Sequence, residues 1–268
     1  MSTIDTIKAV LSAYIKAELL RSKGFIIGAF SLMLWLVMFL APAVLFRSPH
    51  ISPEVISTYA LVAIGIFVSY SAATWDWAWE LRWLMYQGIL EHVILSGESV
   101  FLLFAGILPV SLIWLTITML GSYAVLTGII APPRIIVAEP AALLAGIASL
   151  AIVLVAYALL LGGVTISTGT SGPVMELIGW ILPIATGGLV PLAALPKVVQ
   201  YVALATPFSY PAELIRYGLG LTNPILEPAL TTYIALSYSI GFLVFAVFFF
   251  NLQLKKILKE GVKTVAMY

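Results

Sequence analysis

The stretch Trp75–Glu98, WDWAWELRWLMYQGILEHVILSGE, sets four tryptophans and four carboxylates between two long apolar runs. Its meaning depends on those flanks, since 62% of the 268 residues are hydrophobic, only 9% are charged, and mean hydropathy is +1.11. So little polar surface cannot cover a water-soluble domain of this length, and the chain reads as an all-α polytopic membrane protein. Taken as a helix, the stretch aligns Trp79, Trp83, Tyr86, Leu90 and Val93 in one stripe, with Glu80, Gln87 and Glu91 beside it. Rings with an apolar body and a polar edge favour the headgroup region, so the helix is expected to lie along the membrane interface with its acidic edge toward water. The end of the preceding span must bend to reach that plane. Gly88 is the expected break within the helix.

A helix needs about 20 apolar residues to cross the hydrocarbon. Charge-free intervals of that size occur at 25–46, 56–75, 100–131, 141–168, 177–196 and 229–254, giving six transmembrane helices. The 35 uncharged residues from 99 to 133 predict one long or kinked helix with Pro109 near its start. The first run, Gly24–Phe46, is longer than the roughly 7 to 15 residues of a signal-peptide core, and reads as a retained span. Lys and Arg divide nine to four in favour of both termini being cytoplasmic: Lys8, Lys16, Arg21, Lys23, Arg82, Lys255, Lys256, Lys259 and Lys263 inside, Arg47, Arg134, Lys197 and Arg216 outside. Within residues 1–23, Ile4, Ile7, Leu11 and Tyr14 share one helical face and Lys8, Ser12 and Lys16 another, which predicts an amphipathic helix lying on the membrane lipid. Residues 24–268 then form the six-helix transmembrane domain.

The run PLAALPKVVQYVALATPFSYPAELIR, Pro191–Arg216, cannot be a plain span. Pro191 and Pro196 end the fifth helix, Val198–Ala205 is far too short to cross, and Pro207 and Pro211 interrupt again. A re-entrant hairpin over about 197–220 near the outer face fits, with neighbouring spans satisfying its backbone. Such a hairpin is placed to act as a lid, and Glu213 and Arg216 on its second helix can pair at little more than rotamer cost.

Two motifs carry a family resemblance. Glu80, then Gln87-Gly88-Ile89-Leu90-Glu91 and Leu95-Ser96-Gly97, resemble the loop between spans two and three of ABC-2-type exporter permeases, where a Gly-Thr-Leu-Glu run precedes Leu-Leu and a Ser-Pro step. Ile89 stands for Thr, Gly97 for Pro, and Trp83 and Met85 occupy places usually charged in that family. The segment Gly188–Arg216, with Pro-Leu, Leu-Pro, Gln-Tyr, Pro-Phe-Ser-Tyr and Glu-Leu-Ile-Arg in order, is similar to the same permeases at the end of span five and the external re-entrant helices. The resemblance implies that residues 76–98 are a coupling helix docking into a separate ATP-hydrolysing subunit, with Glu80, Arg82, Gln87, Gly88, Glu91 and His92 at the contact. It also implies a gate built on Pro191, Pro196, Pro207, Tyr210, Glu213 and Arg216. Spans two and five would line the route, making Tyr59, Phe67, Tyr70 and Thr186 lining candidates.

The energy source is expected elsewhere. No Gly-x-x-x-x-Gly-Lys-Ser/Thr occurs, and Gly261-Val262-Lys263-Thr264 lacks the adjacent glycine, so ATP and Mg are expected on a partner ATPase and no cofactor on this chain. These six span interiors hold no acidic or histidine side chain to couple an ion gradient. Six spans without a polar cluster make half a pathway, which predicts a second permease copy or homologue as partner. Gly28, Gly162, Gly163, Gly179, Gly187 and Gly188 allow close helix approach, between subunits or within one. A net charge of +1 leaves no basic patch for nucleic acid, and zero cysteines with two histidines assemble neither a disulfide framework nor a zinc site. Two rivals differ in class: a non-transporting accessory assembly protein, and a rhomboid-like protease on Gly169-Thr170-Ser171-Gly172, for which His50 and His92 are poorly placed as bases. The cargo suited to nearly uncharged spans is hydrophobic, amphipathic or lipid-linked, and the expected location is the cell membrane.

Overall fold

The computed structural model describes residues 3–20, 27–28, 31, 51–97, 99–168, 172–185, 187 and 190–260. The expected first span, Thr186, Gly188, Gly169-Thr170-Ser171 and the segment from Gly261 lie wholly or almost wholly outside them. Among the described residues every regular element is helical and no strand occurs. The elements are α1 (Thr3–Tyr14) with a π-helical extension (Ile15–Leu20), α2 (Pro53–Ala72), a π-helical segment (Ala73–Ala78), α3 (Trp79–Tyr86), α4 (Ile89–Leu95), α5 (Val100–Ile129), α6 (Pro140–Thr168), α7 (Gly172–Ala185), a 3₁₀ turn (Leu192–Ala194), α8 (Lys197–Leu204), α9 (Ser209–Gly218) and α10 (Pro228–Glu260).

Among the described residues four helices are long and apolar enough to cross a membrane: Pro53–Tyr86, Gly106–Ile129, Pro140–Thr165 and Pro228–Ile257. Chain expected to leave the span at Trp75 continues as helix to Tyr86, accommodated by the wider π-helical turns of Ala73–Ala78. The break comes at Gln87-Gly88, where Gly88 adopts φ +70°, a left-handed value that a residue with a Cβ adopts at a cost. Pro109 sits inside α5 without dividing it. The interval 177–196 is not one helix, because α7 stops at Ala185 and the chain runs through Pro191 into the 3₁₀ turn.

α2, α6 and α10 run toward the same end and α5 runs the opposite way, and side-chain packing defines the two ends. At one, Leu81, Leu84 and Met85 of α3 and Leu90 of α4 pack with Val100 of α5, Leu159 of α6 and Phe250 and Ile257 of α10. α1 joins this end, its Tyr14 hydroxyl bonding Glu80. Close approach is made possible by Gly162, which faces Leu81 and Phe250, and Gly163, which faces Phe249. These glycines therefore serve contacts within the chain. At the other end the Arg134 N–H donates to Thr58 Oγ1 at 2.9 Å, and the Ala138 and Glu139 N–H groups donate to Gly218 O at 2.9 and 3.0 Å. Between the ends, Ile66, Tyr70, Leu150, Val153, Tyr157 and Met175 form the central core.

Candidate functional site

The short pair α8 and α9 enters the bundle from the second end. Its turn, 205–208, carries Phe208, whose ring meets Tyr70, Tyr157 and Phe242 edge-on at centroid distances of 6.1, 5.7 and 5.4 Å. Tyr70 and Tyr157 each stand 17 residues into their helices, about 25 Å at 1.5 Å per residue, and Phe242 14 residues into its own, about 21 Å. The turn thus reaches the middle of the long helices. From there α9 climbs back along α6 to the rim, where a Cβ at Gly218 would meet Leu143 and one at Gly146 would meet Leu214 and Ile215. Only glycine permits that approach.

A helix end and a turn so far inside need donors for their carbonyls. Hydroxyl groups supply them. Tyr70 donates to Phe208 O at 2.9 Å, Tyr210 to Leu204 O at 2.6 Å, Ser209 to Ala203 O at 3.0 Å, and Tyr238 to Ala205 O. Tyr59 donates to Leu221 O at the exit of the pair, and the Gln200 side chain holds Leu195 O at 2.8 Å at its entrance. Net, each such bond contributes about 1 kcal/mol, but leaving a buried carbonyl unmet costs about 1–3 kcal/mol.

The residues expected at a gate fall on this pair. Pro191 precedes the 3₁₀ turn, Pro196 precedes α8, and Pro207 is buried in the turn. Glu213 and Arg216, expected on a surface, are 5% and 1% exposed. The reason is that α9 is enclosed along nearly its whole length by α6, α10 and the following loop. Burial pushes the Glu213 carboxyl up to about 7, although the Ile225 N–H and the Arg216 charge pull it down. Burial likewise lowers Arg216 to about 10, with Glu213 and Tyr59 opposing. Of the lining candidates, Phe67 and Tyr70 are core residues and Tyr59 is half-buried beside Leu221.

At the first end the aromatic stripe is split at the expected break, Gly88. Trp79, Trp83 and Tyr86 are exposed, while Leu90 is fully buried because the turn at Gly88 resets the helical phase. The acidic edge does not simply face water: Glu80 is half-buried and accepts the Tyr14 hydroxyl at 2.7 Å. Arg82 lies over the Trp79 ring, 4.7 Å from its centroid. Gln87 and His92 are exposed at the corner, and Glu91 belongs to α4. A feature absent from the sequence reading is the chain from the Trp77 indole N–H to Ser111 Oγ (3.0 Å) and from the Ser111 hydroxyl to Asp76 Oδ2 (3.0 Å). An acidic residue amid tryptophans two helical turns from a span centre was its available signal. No group of three or more His, Cys, Asp or Glu that could hold a metal ion occurs among the described residues. No protein-family model matches the chain, and no curated protein matches it in sequence.

Proposed function

We propose that this chain is the permease subunit of an ATP-driven ABC transporter of the ABC-2 exporter kind, moving a hydrophobic, amphipathic or lipid-linked solute, with ATP hydrolysed by a separate subunit. One observation carries the reading: an exposed two-helix corner at one end of the bundle, opposite a short-helix pair inserted halfway from the other. The corner, Trp79–Leu95, sits at the end of a continuous 34-residue helix, about 51 Å long against about 30 Å of hydrocarbon. Its last turns therefore extend past the lipid, with Trp79, Trp83 and Tyr86 at headgroup level and Gln87 and His92 beyond. That geometry suits docking of an ATPase. The buried, hydroxyl-capped turn at Phe208 is the arrangement non-spanning backbone requires at membrane depth, and it supports α8 and α9 as a re-entrant gate.

In this reading there are six spans, the first lying at 25–46, and both termini are cytoplasmic. Tyr59 and Tyr70 hold the gate in its closed seat, so the route forms where two permease copies meet. The test is purification of the tagged chain from its native membrane. An accompanying subunit with vanadate-sensitive MgATP hydrolysis is expected, and Glu91→Arg is expected to release it. Purification without ATPase activity would instead favour a non-transporting assembly protein.

A further inference from the structure

Residues 219–227 join α9 to α10 without forming a regular element. They lie against α9 as a strap. Gly220 opens the segment at φ +66°, a left-handed turn that glycine makes without strain, and Pro224 and Pro228 restrict its far half. Contacts with its neighbours hold it down. Tyr59 of α2 donates its hydroxyl to Leu221 O, the Leu221 N–H donates to Arg216 O at 2.9 Å, and Leu226 packs against the cluster of Ala142, Tyr210, Leu214 and Ala235. A further contact is made by a group that can change its charge. Glu213 Oε2 accepts the Ile225 N–H at 3.4 Å, and this side chain, beneath the strap, is 5% exposed.

A carboxylate offers about four acceptor sites and binds water tightly, whereas the neutral acid asks for fewer partners. Under the strap the charged form is pulled both ways: burial disfavours it, the Ile225 bond and the Arg216 charge favour it, and burial is the larger effect. The other titratable groups around it are tyrosines. Tyr210 lies on α9 itself, Tyr59 faces Arg216 from α2, and Tyr238 faces Tyr210 from α10, while α6 meets α9 through Ala142 and Gly146. Arg134, Glu139 and Glu227 stand exposed at the rim. The carboxylate therefore gains more from water than the closed strap returns to it. Its shortest way to water is to lift the irregular segment above it, since α6, α9 and α10 would have to part as whole helices.

We propose that residues 219–227 are a strap whose closure over α9 is set by the protonation state of Glu213, held down over the neutral acid and loosened over the carboxylate. The switch stands independently of any ATPase. Its closure covers the outer end of α9 and keeps the Tyr59 bond to Leu221 O; its opening releases both. The full chain in phosphatidylcholine nanodiscs is followed by amide exchange from about pH 5 to about pH 8, each rate divided by the intrinsic rate at that pH. Exchange in the strap is expected to quicken about tenfold between about pH 5 and about pH 7 and to level off above, once the closed form has itself lost the proton, while exchange in α6 changes little. Glu213→Gln keeps the shape, removes the titration and is expected to flatten the curve. Tyr59→Phe is expected to quicken strap exchange about two- to tenfold at every pH and to keep the pH response. If Glu213→Gln shows no cooperative melting transition, Glu213→Ala replaces it, with the same loss of pH response expected. Corrected strap exchange that does not change with pH, an equal response in the Glu213 variant, or a response as large in α6 overturns the proposal.

Discussion

Glu213 bears most directly on how the α8–α9 pair is held. At 5% exposure its charged form has lost most of its water, against which stand a 3.4 Å bond from the Ile225 N–H and the nearby positive charge of Arg216. Desolvation wins, so the folded state binds the proton more tightly than the unfolded chain does, about 7 against an ordinary 4.5. The sign follows: this group's stabilising contribution is complete below about pH 4.5 and is lost as pH rises through about 7. Glu213→Gln keeps the shape and removes the titration. The melting temperature of the parent chain is therefore expected to fall, relative to Glu213→Gln, between about pH 5 and about pH 8. Parallel curves for the two proteins would mean that Arg216 holds the carboxylate charged throughout. Sequence made Glu213 and Arg216 visible as a pair three residues apart on a short helix, but not their burial, because burial here is decided by the glycine contacts of α9 with α6, far away in the chain.

Among elements, the corner between α3 and α4 has the simplest physics. It depends on one backbone conformation, φ +70° at Gly88, and a Cβ built there would meet nothing within 4 Å. Gly88→Ala thus tests strain alone, with no steric clash, at a cost of about 1–2 kcal/mol. Amide exchange across Ile89–Leu95 is expected to quicken in that variant while exchange in α9 stays as it was. Uniform quickening would show that the corner and the rest of the bundle open together. Gly88 was legible as a breaker because glycine amid a strong aromatic helix has few other uses. The continuation of α2 through Trp75 was not: hydropathy ends a span where Asp76 and Glu80 begin, yet both are accommodated inside, by Ser111 and Tyr14. The hydroxyl caps on the 203–208 turn were likewise hidden, though the prolines of Pro191–Arg216 already required that some donors be found there.

For the whole molecule the decisive property is which end faces the cytoplasm. Packing gathers α1, the Gln87-Gly88 corner and the last turns of α10 at one end, and with them Lys8, Lys16, Arg82, Lys255, Lys256 and Lys259. The other end holds Arg134, Lys197 and the buried Arg216, together with Glu139 and Glu227, both exposed. Removing Arg216 from the count of loop charges sharpens the bias that the sequence had already suggested, since a guanidinium enclosed by protein does not meet the membrane surface during insertion. The chain contains no cysteine, so single cysteines can be introduced without background. Ser96 and Asn223 are exposed residues at opposite ends of the bundle. In intact cells a membrane-impermeant maleimide is expected to label Asn223→Cys and to spare Ser96→Cys until the membrane is opened, if the six lysines and arginines gathered at the Ser96 end place it inside as proposed. Labelling of Ser96→Cys from outside would invert the molecule, carrying the corner away from cytoplasmic ATP and removing the ground for a docked ATPase.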